Sequence, residues 1–157
     1  MKADTHKKMN PPLRTKRDRY AMITALIDGT IDTIATDHAP HSAEEKSKPF
    51  DQAPFGIIGL ETSFAVSHTE LVKKGFINPM RLIALMSTNA ARILGYDGGT
   101  LRVGARADIA VIDPEEEWTV NAEDFKSKGR NTPFEGMKLT GRVRLTMADG
   151  NVIYRKE

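Results

Sequence analysis

The apolar period of this chain changes at Gly95, and that switch limits what the chain can fold into. Ahead of Gly95, apolar residues recur every three or four positions, the spacing of helices that bury one face. Behind it they alternate. Val143, Leu145 and Met147 interleave with Arg142, Arg144 and Thr146, as in strands covered on one side. Residues 1–95 are therefore expected to form a helix–strand–helix unit, and residues 96–157 an antiparallel β unit.

Residues 1–16 read as loop, because Asn10-Pro11-Pro12 blocks regular helix. A helix is expected from Arg17 to Asp28, with Tyr20, Ile23 and Ile27 on one face and Gly29 as its stop. Thr30 to Thr36 is a β-prone run ending at Asp37, expected to be a strand covered on both sides as in a parallel sheet. Residues 38–59 carry Pro40, Pro49, Pro54, Gly56 and Gly59 and read as one long loop, a length usually kept for function. A helix from Leu60 to Lys74 would then place Leu60, Phe64 and Leu71 on one stripe.

Asn78-Pro79 supplies an N-cap and a proline at the first helical position. The helix it starts would turn Leu82, Met86, Ala90 and Ile93 inward and end at Gly95. Beyond that point, Ala107–Asp113 reads as a strand and Trp118–Val120 as a shorter one. Asp149-Gly150 is a two-residue turn into Val152-Ile153-Tyr154.

Apolar residues at 39% and charged residues at 28% place the chain among soluble globular proteins. A net charge of +2 gives no bulk attraction to nucleic acid or to a membrane. Lys2, Lys7, Lys8, Arg14, Lys16, Arg17 and Arg19 outnumber Asp4 and Asp18 at the front, but no aromatic residues interleave with them as a single-strand binder would need. A solvated loop and helix entry is the reading adopted. Cysteine is absent, which excludes disulfides and thiolate metal sites and fits a cytoplasmic protein. No apolar run nears the ~20 residues that span a bilayer. The first eight residues lack the apolar segment of a secretory signal.

Chemistry concentrates in Thr36-Asp37-His38-Ala39-Pro40-His41. A carboxylate stands where a buried strand would hand over to a long loop, and in parallel α/β folds active sites assemble at that end of a strand. Asp can ligate a cation and can carry a proton. It can equally cap a turn, with His38 and His41 steadying Pro40, and residue types alone favour that plainer reading.

The neighbouring segments shift the balance. Thr36–His41 is accompanied, in order, by Lys8-Met9-Asn10-Pro11-Pro12-Leu13-Arg14 before it and Pro54-Phe55-Gly56-Ile57-Ile58-Gly59-Leu60-Glu61-Thr62 after it. Gly104-Ala105-Arg106-Ala107-Asp108-Ile109-Ala110-Val111-Ile112-Asp113 follows further on. Together they resemble the dihydroorotase family, of the bacterial type, within the metal-dependent amidohydrolases. The likeness covers essentially the whole chain.

It implies an α/β fold: the carboxy-terminal part of a TIM-barrel metal-dependent hydrolase over residues 1–95, followed by a small antiparallel β-sandwich unit over 96–157. It also implies zinc-dependent, reversible opening of L-dihydroorotate to N-carbamoyl-L-aspartate, a step of pyrimidine synthesis. Asp37 would ligate one of two zinc ions and carry a proton from the attacking hydroxide to the leaving ring nitrogen, which departs poorly unless protonated. Asn10, His41 and the main chain at Phe55 and Gly56 would hold the substrate. An amide, an imidazole and free main-chain groups suit a ring edge bearing N–H, C=O and carboxylate.

His38 has no ligand role in that resemblance and is assigned to structure. Arg14 is read as a surface cation, and His6 and His68 as solvent-facing or internally satisfied. The remaining zinc ligands, a His-x-His pair, a carbamylated lysine and two more histidines, find no match among the four histidines here. A full barrel also needs roughly 200 residues or more. The chain is therefore expected to be a fragment, inactive alone and dependent on a missing amino-terminal part of the barrel, within a complete enzyme compatible with a homo-oligomer. Two other readings stay open: a hydantoinase or allantoinase, and a non-catalytic scaffold of the same ancestry. A pure scaffold would not need Asp37, Asn10 and His41 intact.

Overall fold

The computed structural model describes residues 4–156; Lys2 of the basic excess and the start of the expected first loop lie outside the described residues. Helix α1, Lys16–Asp28, is opened by Thr15, whose N–H and hydroxyl both donate to the Asp18 carboxylate at 3.1 and 2.9 Å. Gly29, at φ 90°, ends it. The apolar face expected on α1 is only partly covered, with Ile23 half-buried. Tyr20 is 53% and Ile27 51% exposed, and no residue of the helix is buried. Arg14 is exposed and pairs with Asp18 across one turn, as a surface cation.

The chain gathers into two compact units. The first comprises Met1–Tyr20, Thr36–Ser63 and Thr119–Lys138. Its core holds Ala53, Ile58, Val120, Ala122 and Phe125, with Thr62, Asn131 and Thr132 buried among them. Inside the segment expected to be loop throughout lies helix α2, Ala43–Ser47, opened by a reciprocal capping box between Ser42 and Glu45. Main-chain bonds from Val120 N–H to Met137 O and from Gly136 N–H to Val120 O, both 2.9 Å, fold the 119–138 segment on itself.

The second unit comprises Ala21–Ala35, Phe64–Trp118 and Leu139–Glu157. Helix α3, Ser63–Ser67, runs on through a π-helical turn, His68–Val72. Leu60, expected on its inward stripe, precedes the helix and is 64% exposed. Helix α4, Pro79–Ile83, starts as expected, with the Asn78 side chain accepting from Arg81 N–H and Pro79 in the first turn. It continues through a second π turn, Ala84–Thr88, into α5, Asn89–Leu94, which Gly95 ends in the left-handed conformation. The wider turn slips the helix phase. Leu85 becomes fully buried in place of Met86, and Ile93, expected inward, is 59% exposed.

The predicted strand Thr30–Thr36 forms no strand. Its polar groups go to helices instead: Ile31 N–H to Ala25 O, Ile34 N–H to Leu85 O, and Asp32 O receives the Asn89 amide. A strand exists only with a partner ladder, and no described segment offers this run one.

The three-stranded sheet has the order β1-β2-β3, with β1 Ile109–Thr119, β2 Lys138–Ala148 and β3 Asn151–Arg155. The two strands expected across 107–120 are one, because Pro114 sits on an edge strand that tolerates a missing N–H. β2 and β3 pair antiparallel around the Asp149-Gly150 turn, whose φ values of 48° and 77° define a type I′ hairpin. Glu116 draws Arg144 to 2.8 Å, with Arg142 and Lys156 each at 3.6 Å.

His68 is 3% exposed and stacks on Phe64. Its Nε2 meets Pro114 O at 3.0 Å, and its Nδ1 has no described partner, so it is buried and half-satisfied. No described helix is long and apolar enough to cross a membrane.

Candidate functional site

Asp37 stands in the left-handed region at φ 44°, uncommon for a residue with a side chain and best tolerated by Asn and Asp. Three contacts with residues 57–59 hold the turn that presents it. The Thr36 backbone packs against Gly59 so closely that a Cβ there would lie 3.2 Å from Thr36 Cβ and O. His38 Nδ1 accepts the Gly59 N–H at 3.1 Å, and Ala39 N–H donates to Ile57 O at 2.9 Å. The Asp37 side chain itself is exposed. An accepting Nδ1 leaves the His38 proton on Nε2 and commits this imidazole to loop structure, the part expected for it.

His41 reaches across to the second loop. Its Nε2 lies 2.9 Å from Phe55 O, and its Nδ1 lies 3.6 Å from the Glu45 carboxylate. A carbonyl can only accept, so Nε2 carries a proton. Hydrogen bonds from Ser42, with His41 adding charge, hold Glu45 below the usual carboxylate range.

Gly56 nests beside this pair at φ 120°, with space for a Cβ only 2.6 Å from Ala39 Cβ and 3.4 Å from His41 Nε2. Its polar groups are not free, as the sequence reading supposes. The N–H donates to Lys8 O at 2.9 Å, and the carbonyl accepts from Lys46 Nζ at 3.0 Å and Asn131 Nδ2 at 3.2 Å. The bond to Lys8 also ties the segment carrying Asn10 to this loop. Asn10 is exposed and precedes Pro11 through a cis peptide.

Sequence reasoning misses three residues that build the loop. Lys8, taken for a solvated cation, is 7% exposed and donates to Phe50 O and Ala53 O at 2.6 Å and to Asp51 O at 3.2 Å. The Phe50 and Phe55 rings cover its ammonium at 5.3 and 4.6 Å. Lys46, 3% exposed, donates to Pro54 O and Gly56 O at 3.0 Å. Burial, then the charge of Lys8, pushes Lys46 below the ordinary lysine value, and Asp4 partly offsets this.

Two ammonium groups thus cage residues 50–56 through carbonyl oxygens in place of carboxylates. Lys8→Met is expected to cost about 3 kcal/mol, because buried carbonyls lose their donor. Urea unfolding checks it, and an unmoved midpoint would mean that the loop does not depend on Lys8.

The third residue is Asn131, 1% exposed. Its Nδ2 donates to Ala39 O at 2.8 Å and to Gly56 O, and its Oδ1 accepts the His41 N–H at 3.0 Å. His6, expected to be satisfied or in solvent, has a buried Nδ1 without a described partner.

These side chains do not make a zinc site by themselves. Zinc takes four donors as a rule, and among the described residues no three His, Asp or Glu side chains converge. His38 Nδ1 and His41 Nε2 are already engaged. Asp37, the ligand expected from the sequence, is exposed.

The loops so joined lie within one recognised family. The Amidohydrolase family matches residues 5–153, and this chain belongs to it. Among curated relatives, the dihydroorotase of Caldanaerobacter subterraneus subsp. tengcongensis is 55% identical over 153 residues, 98% of this chain and 35% of its own length. The dihydroorotase of Clostridioides difficile is 53% identical over 150 residues, 96% of this chain and 35% of its own. Among solved structures, an L-hydantoinase (dihydropyrimidinase) from Arthrobacter aurescens superposes with a TM-score of 0.89 at 33% identity, covering 99% of this chain and 37% of that one. A D-hydantoinase (dihydropyrimidinase) from Thermus sp. gives 0.87 at 32%, covering 96% and 34%. The chain thus spans about a third of the length of the relatives it matches.

Proposed function

We propose that this chain is the part of a dihydroorotase that carries the proton-transfer carboxylate and the substrate loop. The observation behind the choice is the identity of 55% and 53% to two dihydroorotases, against 33% and 32% to two hydantoinases. The complete enzyme opens the cyclic amide of L-dihydroorotate to N-carbamoyl-L-aspartate, and closes it in the reverse direction, in the cytoplasm and within pyrimidine biosynthesis.

In ring opening, oxygen from water joins the amide carbon and the ring C–N bond breaks. Asp37 takes a proton from the attacking water and delivers it to the ring nitrogen, which leaves protonated while the water's oxygen stays in the new carboxyl group. Its exposed carboxylate on a pinned turn supports that role. Asn10 and His41 bind the polar edge of the substrate, and the Phe55 N–H is the main-chain donor of that loop. Gly56 contributes by having no side chain, which lets His41 and Ala39 close on the loop.

Residues 1–95 form the last strands and helices of the amidohydrolase barrel, and residues 96–157 strands of a small β-sandwich domain. Thr30–Thr36, now without a ladder, becomes a barrel strand once neighbouring strands flank it. In the complete enzyme Asp37 would hold one of two zinc ions, which would activate water for the attack, and the remaining ligands would come from residues outside this chain. The missing part of the barrel is the chain's first partner, and the whole is compatible with a homo-oligomer.

Two measurements test this. The 157-residue chain alone is expected to bind no stoichiometric zinc and to hydrolyse no ring amide, so tight zinc by elemental analysis would contradict the reading. A chimera in which this chain replaces the matching third of the Caldanaerobacter enzyme is expected to hydrolyse dihydroorotate in preference to hydantoin and allantoin. Preference for hydantoin or allantoin would make the chain part of a different ring-opening enzyme. A chimera inert on all three would favour a scaffold.

A further inference from the structure

We infer that Asn131 is a positioning residue for substrate binding, reaching from the segment between β1 and β2 to set His41 against the Phe55–Gly56 loop. This rests on the dihydroorotase reading above. Asn131 belongs to residues 119–138, which pack in the same unit as both loops although they follow β1 in sequence.

Among the described residues, its carboxamide is the one buried side chain that bonds to both loops. Nδ2 spans Ala39 O at 2.8 Å and Gly56 O at 3.2 Å, and Oδ1 takes the His41 N–H at 3.0 Å. Its main-chain carbonyl accepts from Ile58 N–H at 3.1 Å, two residues past Gly56. The close approach of Gly129 seats the group: a Cβ there would fall 2.8 Å from both Pro40 Cβ and Asn131 Oδ1.

An amide is what the site demands. One end must donate to two carbonyls while the other accepts an N–H, and carboxylate, hydroxyl and alkyl groups each fail one of these demands. The main chains on which the imidazole of His41 and the N–H of Phe55 ride are thus set by one planar group. Asp37 lies on the far side of Ala39 in sequence and is held by residues 57–59, so substrate affinity should feel Asn131 more than proton transfer does.

The test uses the chimera and its Asn131 variants. Asn131→Ala is expected to raise KM for dihydroorotate by about 10–100-fold, the scale of leaving buried partners unmet, with kcat within about threefold of the parent. Asn131→Asp keeps the acceptor but turns a carboxylate on two carbonyls. Burial and the two carbonyls raise that carboxyl while the Lys46 ammonium, on the same Gly56 oxygen, lowers it, so its KM relative to the parent should fall as pH drops and protonation restores an O–H donor. A purely architectural role would move neither the KM–kcat split nor that pH profile.

If Ala does not fold, Asn131→Ser and Asn131→Asp are read in the same way. KM within twofold of the parent in the folded variants overturns the inference, as does loss of folding in all three, which would assign Asn131 to the fold alone. A parent that prefers hydantoin removes the dihydroorotate reading and leaves the split to be measured on hydantoin. A parent inert on every ring amide sinks both.

Discussion

Asp37→Asn in the chimera is expected to lower kcat for dihydroorotate by at least about 10²–10⁴-fold, the usual contribution of one positioned acid–base group, with a weaker hold on zinc adding to the loss. KM should stay near the parent value. The substitution suits the question because Asn, like Asp, tolerates the left-handed backbone that residue 37 adopts at φ 44°. The contacts that hold the turn belong to Thr36, His38 and Ala39, so they survive the exchange.

Stability should then be unchanged, and a circular dichroism melt separates lost chemistry from lost fold. Asp37→Val is the counterpart. A β-branched residue strains the left-handed region, so this variant should lose both rate and melting temperature. Normal hydrolysis with Asn at position 37 would remove the proton carrier from the proposal and leave the turn as architecture.

What the sequence makes legible divides by the range of the interactions involved. The Asn78-Pro79 start, the Gly95 stop and the Asp149-Gly150 hairpin are local devices, each decided by a few adjacent residues, and each stands where it is read. The Ser42–Glu45 capping box is equally local. It escapes notice only because a proline-rich stretch reads as loop from end to end.

Phase is harder. The inward face of the helix begun by Pro79 depends on a π turn that no propensity announces, so Leu85 is buried and Met86 is not. Thr30–Thr36 has strand propensity, but a strand is a property of a pair, and this chain gives the run helix partners instead.

The site shows the same division. Asp37, His41, Phe55 and Gly56 sit in compact motifs and can be nominated from them. The groups that hold them cannot. Lys8 finds its carbonyls 42 or more residues away, and Asn131 finds Ala39 at a separation of 92. A lysine near other cations reads as solvated, and the sequence reading passes over Asn131 because no adjacent motif marks it. Only the folded chain shows both as buried donors. Gly56 illustrates the cost of that blindness: its main chain looks available in the motif but is already bonded on both sides.

Gly56→Ala should be strongly destabilising for a single added methyl. At φ 120° an L side chain is strained wherever it points, and the new Cβ would lie 2.6 Å from Ala39 Cβ, well inside contact distance. Ala39 cannot readily withdraw, because its N–H is bonded to Ile57 and its carbonyl to Asn131.

Backbone strain and overpacking each cost about 1–3 kcal/mol, so a loss of about 4 kcal/mol is expected by urea unfolding. KM should rise with it, as the loop bearing Phe55 is pushed from His41. Adding Ala39→Gly separates the two causes. It removes the methyl–methyl overlap but leaves φ unchanged, so the double variant should recover roughly half of the lost stability. Full recovery would mean that the backbone at 56 is unstrained. No recovery would put the whole cost in its conformation, and no loss in the single variant would mean that the two loops do not close on each other in solution.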